Sequence, residues 1–306
     1  MRGFDHPKLF GVCFVKNEED IIADSVAHAA RFCDKLFVVD NASTDRTWEI
    51  VKGLAFENVV PVCSKDFVFR DYLRLQFMDT KKDELGLNNW WYIIDADEFL
   101  VEDPSDAIAL AEEEGADCIA VEVINFLLTK EEIRGLEESD RQETWRDRKY
   151  YVLYESGPVK FFKNTRYLDY KIYDIMPFGL TKECSRRLLM KHYPYRSLSQ
   201  LKKRVETRQG NPEFESERKR GTDLGRYIFD IAAVPELRVW DEEKGVNVSA
   251  GFSRVVPRIG ESARDRAFAA IIHMLHWLRL LRAFSALYRR YAAWRQKVDP
   301  KSEATF

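Results

Sequence analysis

Several features that would classify a chain quickly are missing from these 306 residues. No run of about 18 uncharged apolar residues occurs, so the sequence offers no membrane-spanning helix. The opening stretch, MRGFDHPKLFGVCFVKNEED, has neither a sufficient apolar core nor a small-residue cleavage site, which argues against a secretory signal. The cysteines are five, at 13, 33, 63, 118 and 184, and no C-x-x-C pair is present. An odd count in a chain of this size reads as reduced, buried thiols in a cytoplasmic setting, not as a disulfide scaffold. Net charge is only −3, so nothing global points to nucleic acid. Internal repeats and low-complexity segments are absent too.

What is present is globular: 45% hydrophobic and 32% charged residues. Across the first 125 residues, strand and helix patterns alternate. Apolar runs of strand length fall at 9–15, 35–39, 59–62, 90–94 and 117–123. Between the first two, Ile22, Val26, Ala29, Ala30 and Cys33 recur at helical spacing. Val51 and Leu54 lie on a helix opened by a Ser43-Thr44-Asp45 cap, and 70–85 reads as a further helix. Such alternation predicts an α/β fold with a doubly wound, mainly parallel sheet covered on both faces. Three regions follow: 1–125, a ligand-binding half; 126–205, a second half for a partner substrate; and 206–306, a C-terminal extension. The second opens with a charge-dense stretch, read either as a solvated helix and loop or as a lid-like insertion, and continues with strands at YYVLY, VKFFKN and LLMKHY.

One segment asks for an explanation. WWYIIDADEFLVED, residues 90–103, drives an apolar strand into acid, although Asp is a poor strand former and is rarely buried unpaired. In an open α/β sheet, ligands bind beyond the carboxyl ends of the strands. Asp40 ends the second predicted strand, and Asp95 and Asp97 end the fourth, so the fold would bring all three to one edge. VVDNASTDRT, residues 38–47, offers acid, amide and hydroxyl groups without lysine, a composition suited to a base and a ribose and not to a phosphate cradle. Two carboxylates one residue apart suit a hard divalent cation that keeps waters and bridges to substrate phosphates. Together these describe a nucleotide-sugar site.

KNEEDII, VVDNASTDRT and IIDADEFL, in that order and spacing, resemble glycosyltransferase family 2, with its GT-A fold and D-x-D motif. Within it the chain is most similar to the branch reading D-x-D-E-F with a later H-Y-x-x-[RK]-S stretch, here HYPYRSLSQLKKRV at 192–205. The resemblance implies nucleotide contacts from Asn17 and Glu18, base and ribose contacts from Asp40 and Asp45, and a turn shaped by Asn41 and Ser43. It implies that Asp95 faces ribose or metal, that Asp97 binds the metal, and that His192 serves the metal or the diphosphate. The cofactor would be Mn²⁺ or Mg²⁺. The donor would be a nucleoside-diphosphate sugar, a UDP-sugar favoured, and the acceptor a glycan or lipid-linked hydroxyl. Bacterial relatives of this branch are linked to surface polysaccharide or lipopolysaccharide assembly. The reaction would invert the anomeric centre with a carboxylate as general base. That base must come from the second half, and Asp174 and Asp147 are the candidates. Asp174 is preferred because Tyr173 and Ile175 would desolvate it; where family members often carry a histidine, this chain has Met176.

Plainer readings stand beside these. Asp45 also suits a helix cap, His192 also suits a core, and Lys16 and Arg70 read as surface charge or as diphosphate contacts. Rival functions are a D-x-D phosphatase, a nucleotidyltransferase and a non-catalytic sugar-binding protein. The first usually places its acidic pair on the first strand; the second would want a glycine-rich basic loop where residues 14–20 read FVKNEED.

The segment 263–298 carries eight basic residues against Asp265 alone. Met274, Trp277, Leu281, Phe284, Tyr288 and Tyr291 recur in steps of three and four, with Arg279, Arg282 and Arg289 on the opposite side. A basic amphipathic helix in peripheral contact with an anionic membrane, at its inner face, is one expectation; a closing helix packed on the domain is the other.

Overall fold

The computed structural model describes residues 6–63, 66–137, 144–154, 157–171, 175–208, 224–234, 237–241, 263–277 and 280–296. The first half runs β1 (Leu9–Val15), α1 (Ile22–Ala29), β2 (Lys35–Asp40), α2 (Thr47–Gly53), β3 (Val59–Cys63), α3 (Tyr72–Leu85), β4 (Trp90–Ile94), β5 (Glu98–Leu100), α4 (Ser105–Glu114) and β6 (Cys118–Phe126). The second continues with β7 (Leu128–Thr129), α5 (Lys130–Glu137), β8 (Tyr150–Tyr154), β9 (Val159–Lys163), β10 (Leu188–His192) and α6 (Leu198–Arg208). Two short strands, β11 (Ile228–Phe229) and β12 (Arg238–Val239), precede the helices α7 (Ala263–Trp277) and α8 (Leu281–Gln296).

The doubly wound α/β architecture is present. Its parallel core is β3-β2-β1-β4, and β9, β6, β8 and β12 extend it through antiparallel pairs. Every residue of β1 and β4 is buried, as expected for strands covered on both sides. Their side chains alternate between two cores. Leu9, Cys13 and Val15 join Trp90, Tyr92 and Ile94 against Ile22 and Val26 of α1 and Ala107 and Ala111 of α4. Phe10, Val12 and Phe14 join Trp91 and Ile93 against Leu73, Phe77 and Met78 of α3. A Cβ on Gly11 would lie 2.8–2.9 Å from side-chain atoms of Ile94, Leu36 and Cys33, so any larger residue there requires these side chains to shift.

Parallel register makes the strand ends level. Val15 pairs with Asp40 and Cys13 with Ile94, so the chain leaves β1, β2 and β4 along one edge. After β4 it reverses: β5 runs antiparallel to β10, with Glu98 opposite His192, and β10 runs parallel to β6. That reversal carries a residue from the second half up to the acidic segment. Cys13, Cys33, Cys118 and Cys184 are buried thiols outside any disulfide, whereas Cys63 is exposed. Among the described residues no helix is long and apolar enough to cross a membrane.

Two sequence expectations change here. The charge-dense stretch after β7 includes α5, whose Ile133 packs on a small separate core of Leu128, Tyr195, Leu201 and Tyr227. The apolar stripe of the tail is not one face of one helix. Helix α7 ends at Trp277 and α8 begins at Leu281. Leu281 and Tyr288 pack on the α3 side of the sheet, Tyr288 against Phe178 at 4.9 Å, while Phe284 and Tyr291 are exposed. Arg289 donates to Asp169 at 3.1 Å, so it braces the domain and does not belong to an open basic face.

Candidate active site

A cavity of about 700 Å³ opens at the edge where β1 and β4 end. Asn17, Glu18, Asn41, Asp95, Asp97 and His192, all singled out by the sequence, line it together. The opposite wall is α6, which contributes Gln200, Arg204, Thr207 and Arg208. Phe14, Phe67 and Phe69 form an aromatic wall, with ring centroids 6.1–6.3 Å from Phe14.

The two loops after β1 and β2 are knitted by short polar side chains. Asn17 donates its backbone N–H to Ser43 Oγ (3.0 Å) and accepts at Oδ1 from Thr44 N (2.8 Å). Asp40 is buried and accepts from Ser43 N at 3.0 Å. Asp45 accepts from the backbone and hydroxyl of Thr47, and Thr47 Oγ1 accepts from Glu18 N at 2.8 Å. Asp40, Ser43 and Asp45 therefore build the turn beside the cavity and are not among the residues that line it. Their product is the placement of Asn17 and Asn41. Asn17 sits at φ +58° and Ala42 at φ +49°, the left-handed region that side chains other than asparagine's visit at a cost. Asn41 exchanges two hydrogen bonds with the backbone of Phe67 (3.0 and 3.1 Å), fixing the aromatic wall.

Asp95 and Asp97 stand in different company. Asp95 Oδ1 accepts from Arg74, and Oδ2 from Lys160 Nζ at 2.7 Å. Lys160 is buried and also donates to Glu98 at 2.5 Å. Removal from water pushes Asp95 up, but Arg74 and Lys160 outweigh it and hold its carboxyl well below the usual range. Glu98 goes the other way: burial raises it to about 7 despite Lys160. Both oxygens of Asp95 are thus engaged by cations where it lines the cavity.

Asp97 faces His192, with Oδ2 3.6 Å from Nε2. Arg204 and Arg196 lie 3.6 and 3.8 Å from the same oxygen. Burial raises Asp97, yet His192 and the two arginines keep it ionised well below the carboxylate range. Arg196 is fully buried and forks onto Asp20 at 2.8 and 2.9 Å while its second nitrogen also meets Glu18. Burial raises Glu18, and Arg196 opposes that rise. One arginine from the second half thereby fixes the loop after β1 beside Asp97.

A divalent cation is what the family resemblance implies at this edge. Among the described residues no group of three or more His, Cys, Asp or Glu side chains forms a metal cage. Asp97 and His192 offer two converging donors, and cations of this class are commonly held by one or two protein ligands with substrate phosphates and water completing the shell. The donor set fits on those terms.

Of the two candidate bases, Asp174 lies outside the described residues. Asp147 accepts from the backbone N–H and hydroxyl of Thr144 in a one-turn helix and is not among the cavity's lining. Sequence reasoning missed Lys160, Arg74, Arg196 and Arg204. Lys160 was detectable as the inner of two lysines in the strand VKFFK, and Arg196 as the arginine of the H-Y-x-x-R-S stretch.

No protein-family model matches the chain, and no curated protein matches it. Solved structures similar to it include a 4-diphosphocytidyl-2C-methyl-D-erythritol synthase, at 15% identity and TM-score 0.30, covering 52% of this chain and 76% of that one. Another is GalNAc-T7 with UDP, GalNAc and Mn²⁺, at 12% identity and TM-score 0.38. That match covers 72% of this chain, which spans 53% of the neighbour's length.

Proposed function

We propose that the chain is a glycosyltransferase that moves a sugar from a nucleoside-diphosphate sugar, with UDP the favoured nucleotide, to a hydroxyl of a glycan or lipid-linked acceptor. The observation that carries this reading is the juxtaposition of Asp97 and His192 beside Arg204 in one open cavity at the strand ends. Asp97 and His192 would hold Mn²⁺ or Mg²⁺, and the bound cation would supply Lewis-acid neutralisation of the departing diphosphate. Arg204, with Arg208 one turn further on, adds fixed positive charge on the same side. Asn41 and the aromatic wall of Phe67 and Phe69 suit the flat face of a base. The acceptor would approach from the second half, where Asp174 is the preferred general base and Asp147 the second candidate. Attack opposite the leaving diphosphate would invert the anomeric centre.

The test is to incubate the protein with Mn²⁺ and a panel of nucleoside-diphosphate sugars and to follow released nucleoside diphosphate. Release that requires the cation and rises with added acceptor supports the reading. Pyrophosphate released from a nucleoside triphosphate would assign a nucleotidyltransferase instead, and phosphate released from a monoester a phosphatase. A protein that binds the sugar nucleotide unchanged would be a binding module.

A further inference from the structure

Helix α8 is apolar on two faces; the domain buries one and meets the other only through Phe284, whose ring lies 5.9 Å from that of Phe178. Leu281, Ser285 and Tyr288 turn inward, beside Ile272 and Leu275 of α7. One residue back, rotated by about 100° around the helix, Leu280, Phe284, Leu287 and Tyr291 form a second stripe at i, i+4, i+7 and i+11. Ile271 and Met274 of α7 add to it in sequence. All six side chains are between 40% and 65% exposed. They are half of the exposed large apolar side chains among the described residues, confined to residues 271–291. A helix that needs only to close a core requires a single stripe; a concentrated second one marks an interaction surface.

We infer that this outer face docks the protein on an anionic lipid surface. Charge selects the occupant. The segment 263–298 holds eight lysines and arginines against one aspartate, a net +7 of which Arg289 is paired with Asp169, inside a chain of net −3. A second copy would bring the same excess of positive charge to the interface and be repelled, whereas anionic headgroups match it. Length and sequence decide the mode. No described helix can span a bilayer, and 16 residues of α8 extend about 24 Å, enough to lie in the interfacial plane with the stripe inserted. Tyr291 suits that plane, since its ring can sit in the apolar layer while its hydroxyl stays wet.

The experiment is co-sedimentation of the full-length protein with vesicles of phosphatidylcholine alone or mixed with phosphatidylglycerol. Binding is expected only to the mixed vesicles and should weaken as salt rises. Leu287→Asp should reduce partitioning at least about tenfold, because one inserted leucine is lost and a charge gained. Its thermal midpoint should match wild type, since Leu287 is 65% exposed. Absence of binding to the mixed vesicles, or equal binding by wild type and variant, overturns the inference. A dimer in light scattering that Leu287→Asp dissolves, in place of vesicle binding, assigns the face to a second copy and overturns it as well. Neither nucleotide nor sugar transfer enters this measurement, so its outcome is separate from that of the glycosyltransferase reading.

Discussion

Two corners of one cavity, a single residue apart in sequence, are built on opposite plans. At the Asp95 corner every charge is answered from within: Arg74 and Lys160 take both carboxylate oxygens, and Lys160 also meets Glu98. At the Asp97 corner the nearest groups stand back, with His192 and Arg204 at 3.6 Å and Arg196 at 3.8 Å. A closed network stabilises the floor and has little left for a ligand. Charges held just beyond hydrogen-bond distance keep their capacity for one. The two acids of the D-x-D motif thus differ in partners: Asp95 has both oxygens hydrogen-bonded to cations, whereas Asp97 is ringed by His192, Arg204 and Arg196 at 3.6–3.8 Å.

The largest expected effect breaks that comparison directly. Asp97→Asn should lower turnover on the order of 100- to 1000-fold and also cost some stability, because His192, Arg204 and Arg196 favour its charged form. Asp95→Asn should cost about 1.5–3 kcal/mol of folding stability with a smaller loss of turnover. Assaying both variants by nucleoside-diphosphate release and thermal melting decides it, and matched losses in both would erase the distinction. Next comes Lys160→Met, which leaves buried Glu98 beside half-buried Asp95 without their shared cation. Urea denaturation should show a loss of about 3 kcal/mol or more, and adding Glu98→Gln should recover part of it by removing one of the repelling acids.

A smaller effect belongs to the open corner. Arg204→Ala should weaken UDP binding about tenfold, roughly 1.4 kcal/mol, as read by calorimetry; unchanged affinity would remove α6 from the diphosphate side. The smallest is a pH dependence outside the cavity. Burial, with Arg31 beside it, lowers His28 from 6.5 to about 4. Between those values the unfolded chain binds a proton that the folded one does not, so His28 withdraws stability as pH falls from 6.5 toward 4. Glu98, raised to about 7, slopes the opposite way over part of that range. The readout is therefore the difference between wild type and His28→Phe, whose stability should fall less steeply on acidification. Parallel slopes would show that His28 is protonated at no cost.

The parallel half was legible because its information is local. Leu9–Val15 and Trp90–Ile94 are apolar throughout, and Ile22, Val26 and Ala29 mark a helical face, so the order of elements and the edge that collects their ends follow from periodicity. Sheet geometry then brings Asn17, Asn41, Asp95 and Asp97 to one rim whatever the loops do. Other features depended on partners distant in sequence. Lys160 reaches Asp95 across 65 positions, Arg196 reaches Asp20 across 176, and Arg289 reaches Asp169 across 120. A short-range pattern carries no record of such pairings, since the charge that neutralises an aspartate can come from any element the fold brings near. The tail repeats the lesson: the sequence determined that α8 would be apolar and basic, and only packing on the α3-side core, with Tyr288 against Phe178 and Arg289 on Asp169, decided which apolar stripe closes the core and which faces outward.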